Sequence, residues 1–281
     1  MKTVHKIADL RKELEQVRRD GTSIGFVATM GSLHAGHISL VRAALADNDY
    51  VVVSIFVNPT QFGPNEDFDT YPRSLERDQQ LLQEAGANLL FAPTASEMYP
   101  NGYNTYVETF GVTDVLCGAS RPGHFRGVTT VVSKLFNIVQ PVCAYFGQKD
   151  AQQYAVIRRM ATDLNFPIEI ISCPIVREAD GLALSSRNKY LTANEREQAT
   201  VLYEALQLAE KLVAGGERDS AFISNRLYDT IAKCELARIE YIAIVDATTL
   251  EAVDKIVGET LVALAVHFGK TRLIDNTVIR G

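Results

Sequence analysis

One stretch, Ser23 to Leu45, constrains this chain more than any other. Residues of β character from Ser23 to Ala28 run into a Gly-containing turn, Thr29-Met30-Gly31-Ser32-Leu33-His34-Ala35-Gly36-His37. Ile38, Val41 and Leu45 then follow at helical spacing, so the pattern predicts a strand, a tight loop and a helix. His34-x-Gly36-His37 falls where the helix begins. Unpaired backbone N–H groups at a helix start, with the positive end of the dipole behind them, attract phosphate. Two imidazoles three residues apart share one face and reach the same anion. The stretch therefore predicts a nucleotide site at the end of the first strand. Surface histidines or a metal site are the bland alternatives, but zinc needs a third ligand. Gly31 and Gly36 fit an anion approaching the backbone closely.

The rest of the chain repeats this strand-then-helix grammar before abandoning it. A charged surface helix is expected over residues 5–20, ahead of the first strand. Tyr50 to Val57 is a continuous apolar run suited to a central parallel strand, and Pro59 ends it. A helix over 74–84 and a strand over 88–91 come next, then an irregular region with one strand-like piece at 105–110 and a loop at 118–127. Val128, Val131, Val132, Leu135, Phe136 and Val139 mark a buried helix face. Strands at 143–146 and 168–172 enclose a helix at 150–165. Alternation of this kind means βαβ units and a mostly parallel sheet.

Beyond Arg177 the order changes to helix, helix, strand, strand. One long helix is expected over 194–214, ending at Gly215-Gly216. A second, over 219–234, uses Phe222, Leu227 and Ile231, and strands follow at 238–246 and 259–268. The expected organisation is a parallel-sheet domain over residues 1–177 and a smaller α+β domain over 178–281.

Several function classes fall away on composition. At 281 residues and 47% hydrophobic the chain is long enough for sizeable cores, and a net charge of −6 argues against a nucleic-acid face. Cys117, Cys143, Cys173 and Cys234 are scattered without Cys-x-x-Cys, which reads as thiols in a reducing compartment. The first residues lack the apolar core of a signal peptide, and no run approaches membrane-spanning length. A cytoplasmic protein is expected. Neither a Gly-x-Gly-x-x-Gly after the first strand nor a Walker loop is present.

Chemistry-bearing residues gather at strand ends, where open parallel sheets bind ligands. Beside Thr29–His37 stand Asn58–Gln61 and Gly147-Gln148-Lys149-Asp150. Lys149 beside a glycine suits a point charge for phosphate, although most lysines are only solvated. Asn58 has an ordinary turn explanation and Gln61 less of one. Arg121, His124 and Arg126 form a cationic loop, open to anion contact or to plain solvation. At the expected boundary, Leu184-Ser185-Ser186-Arg187 offers two hydroxyls and a guanidinium able to close on polyphosphate. The alternative is that Ser186 or Thr192 merely starts a helix. Asp78 is a candidate metal ligand, with a solvated surface acid the expected reading.

These motifs, taken in order, resemble one family. Thr-Met-Gly-x-Leu-His-x-Gly-His at 29–37, Ser-Ile-Phe-Val-Asn-Pro-x-Gln-Phe at 54–62 and Ser-Arg-Pro-Gly-His-Phe-Arg-Gly-Val at 120–128 are similar to pantoate–β-alanine ligases (pantothenate synthetases). So are Phe-Gly-x-Lys-Asp at 146–150, Leu-Ser-Ser-Arg-Asn at 184–188 and Arg-Leu-Ile-Asp-Asn at 272–276. Position 28 departs, carrying Ala where the family has Pro, a loss of fixed φ just ahead of the loop.

The resemblance implies a Rossmann-like fold, a dimer, ATP as substrate with Mg²⁺ alongside it, and a pantoyl-adenylate intermediate that β-alanine resolves. It implies ATP contacts from Met30, Gly31, Ser32, Leu33, His34, Ala35, Gly36 and His37. Further ATP contacts come from Gly147, Gln148, Lys149, Asp150, Val176, Leu184, Ser185, Ser186 and Arg187. His37, His34 and Lys149 act on the phosphates, Gln61 and Gln153 bind pantoate, and Gln61 also borders β-alanine. No protein residue is assigned to the metal, and neither nucleic acid nor membrane is implied. A cytidylyltransferase-like relative would share His-x-Gly-His but leave Gln61 and Gln153 unexplained. A tRNA-directed synthetase would lack its basic extension. A nucleotide-binding regulator would have no use for both Lys149 and the Ser-Ser-Arg segment.

Overall fold

In the computed structural model, which describes residues 1–64 and 66–281, the chain forms two compact units. One comprises Met1–Gly147 and Val156–Cys173, the other Gln148–Ala155 and Pro174–Gly281.

The first unit holds a six-stranded sheet whose order is β1-β4-β3-β2-β5-β6, every pair parallel. Its strands are β1 (Lys2–Val4), β2 (Ile24–Thr29), β3 (Tyr50–Ile55), β4 (Leu89–Phe91), β5 (Cys143–Gly147) and β6 (Glu169–Cys173). Its helices are α1 (Ile7–Arg19), α2 (Ala35–Asp47), α3 (Leu75–Ala85), α4 (Ala95–Met98), α5 (Leu116–Ser120) and α6 (His124–Val139), and α7 (Ala151–Asp163) joins β5 to β6. From β2 the chain steps outward through β3 to β4, then returns to β5 on the other flank of β2. The loop after β2 thus leaves the sheet where the strand order reverses, the place where such sheets hold ligands. Central strands are apolar on both faces: Val51, Val52, Val53, Phe26 and Val27 are fully buried.

The second unit contains α8 (Ala193–Gln198), α9 (Val201–Ala214), α10 (Ser220–Ile231) and an antiparallel sheet of β7 (Ala237–Asp246), β8 (Glu259–Phe268) and β9 (Thr271–Arg280). Leu202, Leu206, Ile223, Leu227 and Ile231 pack with Val262, Leu264, Val266 and Phe268 in its core.

Five expectations are corrected. A short strand, β1, precedes the first helix and pairs with β4 at the sheet edge. Residues 105–110 form no strand, because threonines of α6 satisfy this backbone instead. Thr130 Oγ1 accepts the Val107 N–H at 3.0 Å, and Thr129 Oγ1 donates to the Val107 carbonyl. The long helix over 194–214 is two helices. Thr200 turns its hydroxyl back onto the Glu197 carbonyl at 2.9 Å, competing with the ladder at the break. Phe222 is 46% exposed, and Ile223 takes the core position in register with Leu227 and Ile231. A third strand, β9, completes the C-terminal sheet; Gly269, at φ +57°, opens the two-residue hairpin before it.

Candidate active site

The loop after β2 has a shape that depends on a distant carboxylate. Gly31 and Ser32 both stand in the left-handed region, at φ +82° and +52°, a costly conformation for serine. Ser32 N–H donates to Asp78 Oδ2 at 2.8 Å and Leu33 N–H to Oδ1 at 2.8 Å. Asp78, on α3, is 2% exposed. The expected solvated surface acid is therefore a buried anchor, both oxygens of which hold loop backbone. A Cβ on Gly31 would come within 3.0 Å of that carboxylate, so glycine here serves the anchor as well as the turn. Thr29 Oγ1 extends the support, donating to the Ser54 carbonyl at 2.8 Å while accepting Gly31 N–H at 3.2 Å. Ala28 stays in the ladder opposite Ser54, so the approach to the loop remains regular without proline.

At the start of α2 the two histidines cap the helix reciprocally. His34 Nδ1 accepts Gly36 N–H at 3.2 Å, and His37 Nδ1 accepts His34 N–H at 3.3 Å. With Nδ1 an acceptor in both rings, the ring proton of each is assigned to Nε2. The rings stand 4.1 Å apart at 49°, one face as the spacing implied. Gly36 owes its identity partly to this packing, since a Cβ there would meet the His34 ring at 2.9 Å.

The 3-10 turn Pro59–Gln61 follows β3, with Asn58 as its cap. Gln61, 8% exposed, accepts at Oε1 from Asn58 Nδ2 at 3.0 Å and donates from Nε2 to Met30 Sδ at 3.1 Å. Its amide thus meets the loop after β2. The α6 backbone presses on this turn: a Cβ on Gly127 would fall 2.4 Å from the Thr60 carbonyl oxygen. His124 and Arg126 lie on the first turn of α6 rather than in a loop, and each of the three side chains has a protein partner, the Arg126 guanidinium lying 5.0 Å from the Tyr106 ring centroid. Arg121 forks onto Glu66 at 2.7 and 2.6 Å and donates to His124 Nε2 at 3.0 Å, and His124 Nδ1 donates to the Gln61 carbonyl at 2.9 Å. Burial pushes Glu66 up, but the Arg121 fork and the Gly63 backbone outweigh it and hold the carboxyl below its ordinary value.

The second unit carries the other phosphate candidates. Gln148–Asp150 forms a 3-10 turn directly after β5, where Lys149 Nζ lies 3.7 Å from Asp150 Oδ1. Asn276 of β9 clamps this turn, donating from Nδ2 to the Gln148 and Lys149 carbonyls at 3.0 and 2.9 Å and accepting from Gln148 Nε2 at 3.0 Å. The Asn276 N–H donates to Asp275 Oδ1 at 2.8 Å, and Arg177 forks onto Asp275 at 2.6 and 2.9 Å. Burial pushes the Asp275 carboxyl above its ordinary value against the pull of Arg177. Val176 and Leu184 are brought together, Leu184 N–H donating to the Val176 carbonyl at 2.9 Å. Ser185 caps the turn Ser186–Tyr190 by accepting Arg187 N–H at 3.2 Å, while Thr192 caps α8. Gln153 is half-buried near the start of α7. Gln61 and Gln153 belong to different units.

Sequence reading missed Asp78 as an anchor, Tyr99 beside Asn58, and Asn276 as a clamp. Asn276 left a signal as part of the 272–276 motif, and Asp78 showed only as a candidate metal ligand. No group of three His, Cys, Asp or Glu side chains able to hold a metal occurs among the described residues. No helix among them is long and apolar enough to cross a membrane.

Comparison with known proteins decides the family. The model of the family described as pantoate-beta-alanine ligase matches residues 2–278. The chain belongs to the pantoate-beta-alanine ligase family. Pantothenate synthetase of Moorella thermoacetica is 60% identical over 279 residues, covering 99% of each chain, and that of Acetivibrio thermocellus is 58% identical over the same length and share. The crystal structure of pantothenate synthetase from Thermus thermophilus superposes at a TM-score of 0.95 with 48% identity, covering all of both chains. That of the Francisella tularensis pantoate-beta-alanine ligase, complexed with beta-gamma ATP and beta-alanine, matches at 0.81 with 38% identity, over 99% of this chain and 97% of that one. The chain is thus an enzyme of the ligase class, and its α/β architecture is that of pantothenate synthetases.

Proposed function

We propose that this enzyme joins pantoate to β-alanine at the expense of ATP, through a pantoyl adenylate. A pantoate carboxylate oxygen attacks the α-phosphorus and the bond to pyrophosphate breaks. The β-alanine amine then attacks the acyl carbon, the C–O bond to AMP breaks, and the amine loses a proton. No covalent bond to the protein is needed, so the side chains supply position and charge. The observation that carries this reading is the His34–His37 pair, whose Nδ1 atoms are both engaged by backbone N–H groups. Each ring then carries its proton on Nε2 as a donor at the helix start, and donors that meet developing phosphate charge there would lower the barrier most.

In this reading Met30 to His37 cradle the nucleotide and Lys149 adds a fixed positive charge within the segment Gly147–Asp150. Val176 and Leu184–Arg187 complete the nucleotide contacts, with Ser185, Ser186 and Arg187 on the departing pyrophosphate. Gln61 and Gln153 take pantoate, and Gln61 borders β-alanine. Mg²⁺ would be held mainly by triphosphate oxygens and water, a fit to a donor set whose buried acids are already engaged, Asp78 by two backbone N–H groups and Asp275 by Arg177. The metal would neutralise phosphate charge. By family resemblance the enzyme works as a cytoplasmic homodimer, with a boundary near residue 177 between its catalytic and lid-like parts.

Purified protein mixed with ATP, pantoate and β-alanine should release AMP and pyrophosphate in equal amounts. AMP release no greater than in a control without pantoate would contradict the proposal.

A further inference from the structure

Asn58 has every hydrogen-bonding position filled, which gives its amide one orientation. The side chain is 1% exposed. Its Oδ1 accepts from Thr60 N–H at 3.3 Å, Thr60 Oγ1 at 3.0 Å and Tyr99 Oη at 2.8 Å, while Nδ2 donates to Gln61 Oε1 at 3.0 Å and the Gly127 carbonyl at 3.1 Å. The Thr60 N–H can only donate and the Gly127 carbonyl can only accept, so a flipped amide would face like against like at both, and the two hydroxyls settle as donors to Oδ1. The orientation passes to Gln61, whose Oε1 is engaged by Asn58 and whose Nε2, among the described residues, donates to the Met30 thioether, a weak acceptor, at 3.1 Å. A ligand reaching Gln61 therefore meets N–H donors.

The shortest bond to Asn58 Oδ1 comes from Tyr99, 41 residues away in sequence. Tyr99 follows α4 and is wedged among rings, edge-on to Tyr103 with centroids 4.9 Å apart and 6.1 Å from Phe56. Lys134 Nζ stands 5.6 Å from its ring centroid. Burial pushes the phenol up to about 12, so it remains a donor at any working pH. None of this assembly lies outside the first unit.

We propose that Tyr99 is a positioning residue: through Asn58 it turns the Gln61 amide so that N–H, not carbonyl, faces the substrate. The expected recipient is an oxygen of the hydroxy acid, not the ammonium of the amino acid, which would need the carbonyl. This deepens the reading that Gln61 binds pantoate and rests on it.

Tyr99→Phe removes one hydroxyl and keeps the ring packing; Tyr103→Phe, in the same aromatic group without a bond to Asn58, is the control. Two readouts are needed. In ligand-free protein, side-chain amide NMR signals of Asn58 and Gln61 should move in Tyr99→Phe and stay in Tyr103→Phe. In turnover, Tyr99→Phe should raise the pantoate KM about five- to tenfold, the worth of one neutral hydrogen bond, and leave the ATP KM within about twofold. Unmoved amide signals, an unchanged pantoate KM, or ATP and pantoate KM rising together with a lowered melting temperature would each overturn the positioning role. Parent protein lacking pantoate-dependent AMP release would overturn the proposed function instead, and the amide signals would still test the relay.

Discussion

Ser32 gives its backbone N–H to the Asp78 carboxylate at 2.8 Å across 46 residues of sequence, and Leu33 gives its own at the same distance. A left-handed serine persists only where its surroundings over-determine it, and this carboxylate does so. Asp78→Ala should leave a buried N–H on Leu33 and a half-buried one on Ser32 without acceptors and cost about 2–4 kcal/mol of stability, measured by urea unfolding. Because the loop after β2, which the proposed function gives to the nucleotide, loses its shape, the ATP KM should rise more than the pantoate KM. Asp78→Asn should recover only part of either loss, since its amide offers one acceptor where two are needed.

The clamp on Lys149 gives a second test. Asn276 makes three side-chain bonds to Gln148 and Lys149. Asn276→Ala should raise the ATP KM about tenfold, the equivalent of about 1.4 kcal/mol. Steady-state kinetics with pantoate and β-alanine saturating would measure this, and an unchanged ATP KM would remove the clamp from the account.

Gly127 matters for what it lacks. Its α carbon faces the Thr60 carbonyl, where a methyl group would arrive at 2.4 Å, and backbone on both sides has little room to yield. Gly127→Ala should cost about 1–3 kcal/mol through overpacking, despite alanine's better helix propensity. It should also raise the pantoate KM by moving the Gln61 turn. A mutant as stable as the parent would contradict the contact.

Tyr99 should leave a mark on alkaline stability. Burial raises its phenol from 10.0 to about 12, so the folded chain keeps a proton that the unfolded chain releases near pH 10. This contribution is whole below pH 10 and is lost as pH climbs towards about 12. Comparing parent with Tyr99→Phe isolates it from other raised tyrosines. The parent should lose about 1–2 kcal/mol more than the mutant across that window, after solvent screening.

What the amino-acid pattern revealed, and what it hid, follows from the reach of each interaction. The His34–His37 pair was legible because both the helix start and the three-residue spacing are local. Asp78 was not, because a carboxylate on a charged, amphipathic helix reads as solvated until the partner loop is known. Arg121 and His124 were visible as charges, but their partners Glu66 and the Gln61 carbonyl lie 55 and 63 residues away. The inner parallel strands stood out, β3 most of all as an apolar run, while β1, three residues at the sheet edge, did not. β9 did not, since Asp275 and Asn276 interrupt its apolar alternation with buried polar groups that serve the clamp. The break between α8 and α9 depends on one threonine hydroxyl, a detail invisible to periodicity.

The most direct test of the adenylate route follows one oxygen atom. Pantoate labelled with ¹⁸O in its carboxylate is converted with ATP and β-alanine, and the AMP is analysed by mass spectrometry. Attack of the carboxylate on the α-phosphorus, followed by C–O cleavage, is expected to leave one labelled oxygen in each AMP. AMP formed without the label would contradict the account.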